Sequence, residues 1–229
     1  MSAHPPMTAM LLAAGRGERM RPLTDDTPKP LLRVGGRALI DYHLAALAAA
    51  GFERVVVNTA WQGAKLREHV GEGRELGLSV RYSDEGEQAL ETAGGIAQAL
   101  PMLGPRPFVV INADVYTDFP YARLTLPVGR YAHLVLVDNP PQHPAGDFAL
   151  RAGRVYADGG PYLTFAGIGV YHPALFSGLP RRPARLAPLL ARAMDAGRVS
   201  GEHYHGAWHD VGTPERLHAL DSTLASQCP

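Results

Sequence analysis

The apolar positions of this chain fall into runs whose spacing switches between the strand and the helix period. Met7 to Ala14 is a short, nearly unbroken apolar run closed by Gly15, the pattern of a strand covered on both faces. Leu39 to Ala50 has helical spacing and stops at Gly51. Arg54 to Asn58 is β-branched and strand-like, Gly63 to Val70 reads as a helix and Leu78 to Tyr82 as a strand. Ala93 to Leu103 reads as a helix with Thr92 as its N-cap, and Phe108 to Asn112 as another apolar strand. Such alternation predicts βαβ units, hence an α/β fold with a mainly parallel central sheet flanked by helices.

From about Tyr116 the pattern changes. His133 to Val137, Phe148 to Arg151 and Leu163 to Tyr171 read as strands joined by Pro/Gly-rich loops, and Leu186 to Ala196 as a helix. Val199 to Tyr204 and Trp208 to Val211 read as short strands. Pro214 to Ser226 reads as a last helix with Thr213 as N-cap and proline at its first position. Residues Ser2 to Pro6 read as a loose tail. The expectation is a single domain over 1–229 with three parts. These are a nucleotide-binding half over about 7–115, a β-rich insert over about 116–205 that closes over a second substrate, and a closing segment over about 206–229.

Composition narrows the classes. The 229 residues are 46% hydrophobic and 19% charged, with a formal net charge of zero. That is globular, and it lacks the basic excess expected of a nucleic-acid or anionic-membrane binder. The only cysteine, Cys228, allows no disulfide within the chain and fits a reducing, cytoplasmic setting. The run from Met7 is too short to span a membrane and has no basic leader. No obligate protein partner is evident.

The polar stretch after the first strand carries the candidate chemistry. It reads Ala13-Ala14-Gly15-Arg16-Gly17-Glu18-Arg19-Met20-Arg21-Pro22-Leu23-Thr24. Gly15 and Gly17 let backbone N–H groups approach a phosphate, Arg16, Arg19 and Arg21 offer guanidinium forks, and Ala13 and Ala14 leave room for a flat base. A Rossmann fingerprint would need a third glycine where Met20 stands, and a P-loop would need a Gly-Lys-hydroxyl ending. The glycines alone fit a tight turn equally well. Twelve residues beyond Gly17, however, Lys29 sits between Pro28 and Pro30, which restrict the backbone and aim its ammonium. Only Lys29 and Lys65 are lysines in this arginine-rich chain.

Two aspartates stand near strand ends: Asp114 after Phe108–Asn112, and Asp210 in Trp208-His209-Asp210-Val211-Gly212-Thr213. Each alone reads as a turn or capping aspartate. Together they offer the oxygen donors that suit Mg²⁺. Glu91-Thr92-Ala93-Gly94 opens a helix where Gly94 permits close approach, and Glu85 and Glu87 precede it. Glu202, His203, His205 and His209 beside Asp210 raise a zinc alternative, but they lack the helical His-Glu-x-x-His arrangement, and solvated or substrate-facing histidines fit better.

The glycine loop followed by Pro28-Lys29-Pro30-Leu31 resembles the sugar-1-phosphate nucleotidyltransferases. That resemblance implies a Rossmann-like nucleotidyltransferase fold and transfer of a nucleotidyl group to a sugar 1-phosphate with release of pyrophosphate. It implies nucleotide contacts at Ala13, Ala14, Gly15, Gly17, Thr92 and Gly94, catalytic roles for Arg19 and Lys29, and Mg²⁺ held by Asp114 and Asp210. Segments of the second half, among them Gly146-Asp147-Phe148, Leu163-Thr164-Phe165-Ala166-Gly167 and Gly201-Glu202-His203-Tyr204, are similar to the N-acetylmuramate 1-phosphate uridylyltransferases of peptidoglycan recycling. The implied substrates are UTP and that sugar phosphate. The implied sugar contacts are Asn112, Gly146, Asp147, Thr164, Gly167, Arg185 and Glu202. Other branches place a second lysine near the sugar phosphate, whereas no lysine follows Lys65 here, so an arginine or the metal must serve. Glucose or mannose 1-phosphate as the acceptor, and a nucleotide-sugar-binding module without turnover, are the competing readings.

Overall fold

The computed structural model describes residues 8–86, 89–180 and 182–226. The tail at 2–6, Met7, Glu87 and Cys228 therefore lie outside the described residues.

The first half follows the expected alternation. In chain order it contains β1 (Thr8–Leu12), a two-residue pair β2 (Arg33–Val34) and β3 (Arg37–Ala38), α1 (Leu39–Ala49), β4 (Arg54–Thr59), α2 (Gly63–Val70), β5 (Ser79–Asp84), α3 (Glu91–Leu103) and β6 (Phe108–Asn112). Strands β5, β4, β1 and β6 lie side by side, all parallel. Their side chains alternate between two cores, as the period of two requires. Ala9, Leu11, Val55, Val57, Val109 and Ile111 join the cluster that includes Ile40, Leu44 and Leu47 of α1. Met10, Val56, Val110 and Phe108 join the one that includes Ile96, Ala99 and Leu103 of α3. Because both faces are covered, β1, β4 and β6 read as apolar runs, whereas the edge strand β5 alternates between buried and exposed positions.

The second half adds β7 (Val115–Thr117), β8 (Ala132–Val137), β9 (Phe148–Arg151), β10 (Arg154–Tyr156), β11 (Tyr162–Tyr171), α4 (Ala187–Asp195), β12 (Val199–His203), β13 (Trp208–Asp210) and α5 (Pro214–Ala225). Most of these strands extend the first sheet instead of forming a separate layer. The nine-stranded order is β5-β4-β1-β6-β11-β8-β12-β10-β9. β11 runs antiparallel beside β6 and β8, and β12 is parallel to β8. The α/β class holds, with an antiparallel half that the sequence pattern left detached. β10 and the β2–β3 pair are too short to show a period, and the sequence reading misses them.

Two helix starts separate local from tertiary control. At α5 the expected cap is present, with Thr213 Oγ1 accepting from Arg216 N. At α3 the expected Thr92 cap is absent. The helix begins at Glu91 with no side-chain cap, and the N–H groups of Ala93 and Gly94 both donate to Ala184 O. A distant carbonyl satisfies the donors that a local hydroxyl would otherwise have taken.

Candidate active site

The site lies beyond the carboxyl ends of β1, β4 and β6, where Leu12 is in register with both Asn58 and Asn112. The chain leaves β1 into the glycine loop. Ala13 N donates to Asn58 Oδ1 at 2.7 Å, Asn58 Nδ2 donates to Glu85 Oε1 at 2.6 Å, and Glu85 Oε2 accepts from Leu90 N at 2.7 Å. This chain of bonds ties the loop to β4 and to the start of α3. Gly17 adopts a left-handed φ of 66° and caps a short 3₁₀ turn over Glu18–Met20. An added Cβ there would stand 3.0 Å from Thr24 Cγ2 and 3.2 Å from Lys29 Cβ. Gly15, by contrast, borders open space.

Lys29 opens a second 3₁₀ turn, with Pro28 before it and Pro30 within it. Its side chain is 9% exposed, and Nζ donates to Asp114 Oδ2 at 2.5 Å. The turn carrying Asp114 is anchored from behind by His43 of α1, whose Nε2 meets Val115 O at 2.8 Å and Nδ1 meets the Tyr121 hydroxyl at 2.7 Å. Full burial lowers the His43 pKa to about 4, against the raising influence of the Val115 carbonyl and Asp114. The ring is thus neutral at pH 7, with the carbonyl accepting from Nε2–H.

β7 and β13 form an antiparallel ribbon that sets Asp210 opposite Val115, and Val211 N donates to Asp114 O at 3.2 Å. Two aspartates almost a hundred positions apart in sequence are brought onto neighbouring backbones. Asp210 is ion-paired to Arg216 of α5.

Two cavities open here. One of about 500 Å³ is lined by Ala13 to Met20, Lys29, Asn58, Glu85, Thr92, Asn112 and Asp114, among others. Another of about 250 Å³ is lined by Gln142, His143, Thr164, Gly167, Trp208 and Asp210, among others. Arg19, Asn112 and Asp114 border both. Among the described residues the Arg19 guanidinium has no ion-pair or hydrogen-bond partner, so a cation is available where the cavities meet.

Most of the expected site residues thus converge, and five do not. Gly94 faces away from the cavity, since a Cβ there would meet Arg182 O at 2.4 Å. Its glycine accommodates chain packing, and it is Gly95 whose missing side chain leaves room for Glu85. Arg185 is largely exposed and pairs with Glu91 at 3.4 Å, at the rim of the larger cavity and away from the smaller. Glu202 lines neither. On β12 it faces His133 and Arg123, and the hydrogen bond from His133 and the Arg123 charge, opposed by burial, hold its carboxyl below the usual range. Gly146 and Asp147 stand behind the wall of the smaller cavity. Gly146 has a φ of 66° and abuts the Asn139 side chain, and Asp147 accepts from Phe165 N at 2.8 Å and meets His143 Nε2 at 3.0 Å.

Several residues of the site escaped the sequence reading. Asn58 follows the apolar run of β4 much as Asn112 follows that of β6, and that parallel was the available signal. Gln142 and His143 carried none, because a turn brings them in, whereas Trp208, on β13, stands in the stretch already singled out for Asp210. Glu85 is placed at the larger cavity, whereas Glu87 lies outside the described residues.

Comparison with known proteins decides the family. The model of the nucleotidyl transferase family matches residues 8–150. The chain belongs to the nucleotidyl transferase family. It is 50% identical over 220 residues to the N-acetylmuramate alpha-1-phosphate uridylyltransferase of Neisseria meningitidis serogroup B, covering 92% of this chain and 95% of that one. It is 36% identical over 236 residues to the protein of the same name from Caulobacter vibrioides, covering 96% and 98%. Among solved structures, the inositol-1-phosphate CTP transferase of T. maritima superposes with a TM-score of 0.78 at 20% identity over 97% and 98% of the two chains, a likeness of fold. As a family member this chain is a nucleotidyltransferase. No helix among the described residues is long and apolar enough to cross a membrane.

Proposed function

We propose that this nucleotidyltransferase transfers the uridylyl group of UTP to N-acetylmuramate α-1-phosphate, giving UDP-N-acetylmuramate and pyrophosphate, in the cytoplasm. The observation that carries the reading is the junction: the Arg19 guanidinium, unpaired among the described residues, and Asn112 and Asp114 border both a large cavity beside the glycine loop and a smaller one beside it. The larger cavity takes the nucleotide and the smaller one the sugar, which assigns about 7–115 to the nucleotide and about 116–205 to the sugar. The strong identity to two N-acetylmuramate 1-phosphate uridylyltransferases over nearly their whole length supports this choice of substrates.

The reaction needs no protein nucleophile. A sugar-phosphate oxygen attacks the α-phosphorus, and the bond from that phosphorus to the bridging oxygen of the departing pyrophosphate breaks. Ala13, Ala14, Gly15 and Gly17 present backbone to the nucleotide, and Thr92 borders its base. Arg19 stands between the two phosphate groups and offsets their repulsion, and Lys29 neutralises charge that grows on the phosphoryl oxygens and the leaving group. Asn112, Thr164 and Gly167 bound the sugar. The donors at Asp114 and Asp210 are carboxylate oxygens from adjacent backbones, a hard set that fits Mg²⁺. Bound there, Mg²⁺ would lower the repulsion between the phosphate groups. Asp114 also neutralises Lys29 until substrate arrives.

Incubation with UTP, Mg²⁺ and N-acetylmuramate 1-phosphate, followed by mass analysis, tests the reading. UDP-N-acetylmuramate and pyrophosphate are the expected products. Turnover only with glucose or mannose 1-phosphate would overturn the choice of sugar, and nucleotide binding without pyrophosphate release would overturn catalysis.

A further inference from the structure

A second group of metal-ligating side chains lies at the carboxyl ends of β8 and β12, outside the aspartate pair just described. Parallel pairing sets His203 opposite Leu136, and Tyr204 N donates to Leu136 O at 2.8 Å. Two residues further along each chain stand Asp138 and His205. Tyr204, between the histidines, turns to the other side, where its ring packs edge-on against Phe119 and its hydroxyl donates to Asp118. The strand period of two therefore leaves His203 and His205 on one side with Asp138.

The three groups converge. His203 Nε2 lies 3.0 Å from Asp138 Oδ1, His205 Nδ1 lies 4.0 Å from Asp138 Oδ2, and the imidazole centroids are 3.9 Å apart. One donor atom from each side chain falls within 4.8 Å of the other two. Zinc–nitrogen bonds of about 2.0 Å in tetrahedral geometry set donors roughly 3.3 Å apart, so the first pair already has that spacing and the third side chain needs only a small rotation. His205 is 70% exposed, which leaves it free to make that rotation. Two imidazoles so close repel when protonated, whereas a shared cation uses both lone pairs.

We propose that Asp138, His203 and His205 form a binding site for a borderline divalent transition-metal ion of the zinc class, separate from the Asp114–Asp210 pair. Two nitrogens and one carboxylate select such an ion over Mg²⁺, which prefers oxygen donors. Three protein ligands leave a coordination position open to water or to a ligand group. The ligand set differs from the one the sequence suggested. Glu202 is engaged by His133 and Arg123, and His209 packs against Tyr116. Asp138, the carboxylate that completes the group, follows the end of β8, far away in sequence. The site also adjoins Asn139, which accepts from Thr164 Oγ1 at 2.9 Å and donates to Pro144 O at 3.1 Å. A bound ion would therefore fix the near end of the loop carrying Gln142 and His143 to the smaller cavity.

The test is calorimetric titration of Zn²⁺ into the metal-stripped full chain in excess Mg²⁺, with Co²⁺ as a spectroscopic probe. Wild type is expected to bind one equivalent, to show the visible bands of low-coordinate Co²⁺, and to melt at a higher temperature with Zn²⁺ present. His203→Ala/His205→Ala together, and Asp138→Asn separately, are expected to weaken binding at least about tenfold while the metal-free melting temperature stays unchanged. His209→Ala is expected to bind as wild type does. Absence of binding by wild type, or equal affinity in the double variant, or loss of the site in His209→Ala, would each overturn the assignment.

Discussion

The two cavities are built by different means. The larger is drawn chiefly from one stretch of chain, 12–20, with Lys29 and Pro30 following in the same loop. The backbone itself is the wall there, held by the Asn58–Glu85 bonds and the turn at Gly17. The smaller is a mosaic of 112–115, 140–143, 164–167 and 208–210, with Arg19. It is held by side-chain bonds across segments: Thr164 to Asn139, Phe165 N to Asp147, and Trp208 Nε1 to Ala166 O. The contrast matches the division of labour proposed above. Triphosphate chemistry calls for a preset cradle of N–H groups and cations, whereas choice of sugar is carried on turns that can change without disturbing the sheet.

The largest effect should come from Lys29, which serves the chemistry and not the sugar. Lys29→Met is expected to lower turnover about 10²–10³-fold with every accepted sugar phosphate, as measured by pyrophosphate release. Its melting temperature should move little, because Asp114 keeps 35% side-chain exposure and stays hydrated. Activity equal to wild type would remove Lys29 from the mechanism.

His43 supports the turn that both cavities share, so its titration should appear in stability and not in substrate preference. Its folded pKa, about 4, lies below the unfolded value of 6.5. Its contribution is thus complete above about pH 6.5 and is lost as pH falls towards 4, by up to roughly 3 kcal/mol. Glu202, also lowered, adds a loss only below its ordinary value of 4.5. Urea unfolding across pH 7 to about 4 should trace the slope, and His43→Gln should flatten it. A wild-type profile flat above pH 4.5 would contradict the buried neutral ring.

Paired glycine substitutions sharpen the contrast between cavities. Gly167 has a φ of 72°, and a Cβ there would lie 2.6 Å from Asn112 Nδ2. Gly167→Ala is expected to raise KM for the sugar phosphate about tenfold and leave that for UTP nearly unchanged, with the reverse for Gly17→Ala. Equal effects on both substrates in both variants would dissolve the distinction. The smallest effect is reserved for Thr164→Val, which deletes one hydrogen bond to Asn139, worth about 1 kcal/mol. A rise of about fivefold in KM for the sugar phosphate alone is expected from steady-state kinetics.

How much of this was readable beforehand follows from the range of the interactions. β6 and α2 match their expected bounds at both ends, because period and boundary residues lie within each segment. The Thr213 cap was equally local. The Thr92 cap failed because Ala184, from a distant segment, takes the same helix donors. Gly94 and Glu202 belong to recognisable motifs, yet their surroundings are set by packing against 182–184 and against β8.

The chain on its own determined the α/β alternation, the glycine loop with its proline-flanked lysine, and the identity of the two aspartates. Each of these is written in contiguous residues, through side-chain period, backbone restriction by glycine and proline, or charge. Only the tertiary structure decided that β7 and β13 set Asp114 beside Asp210, that Arg19 stands between two cavities, and that Asp138 joins His203 and His205. Those facts depend on strand order and register, which arise from burying both faces of one sheet and which no local stretch of residues records.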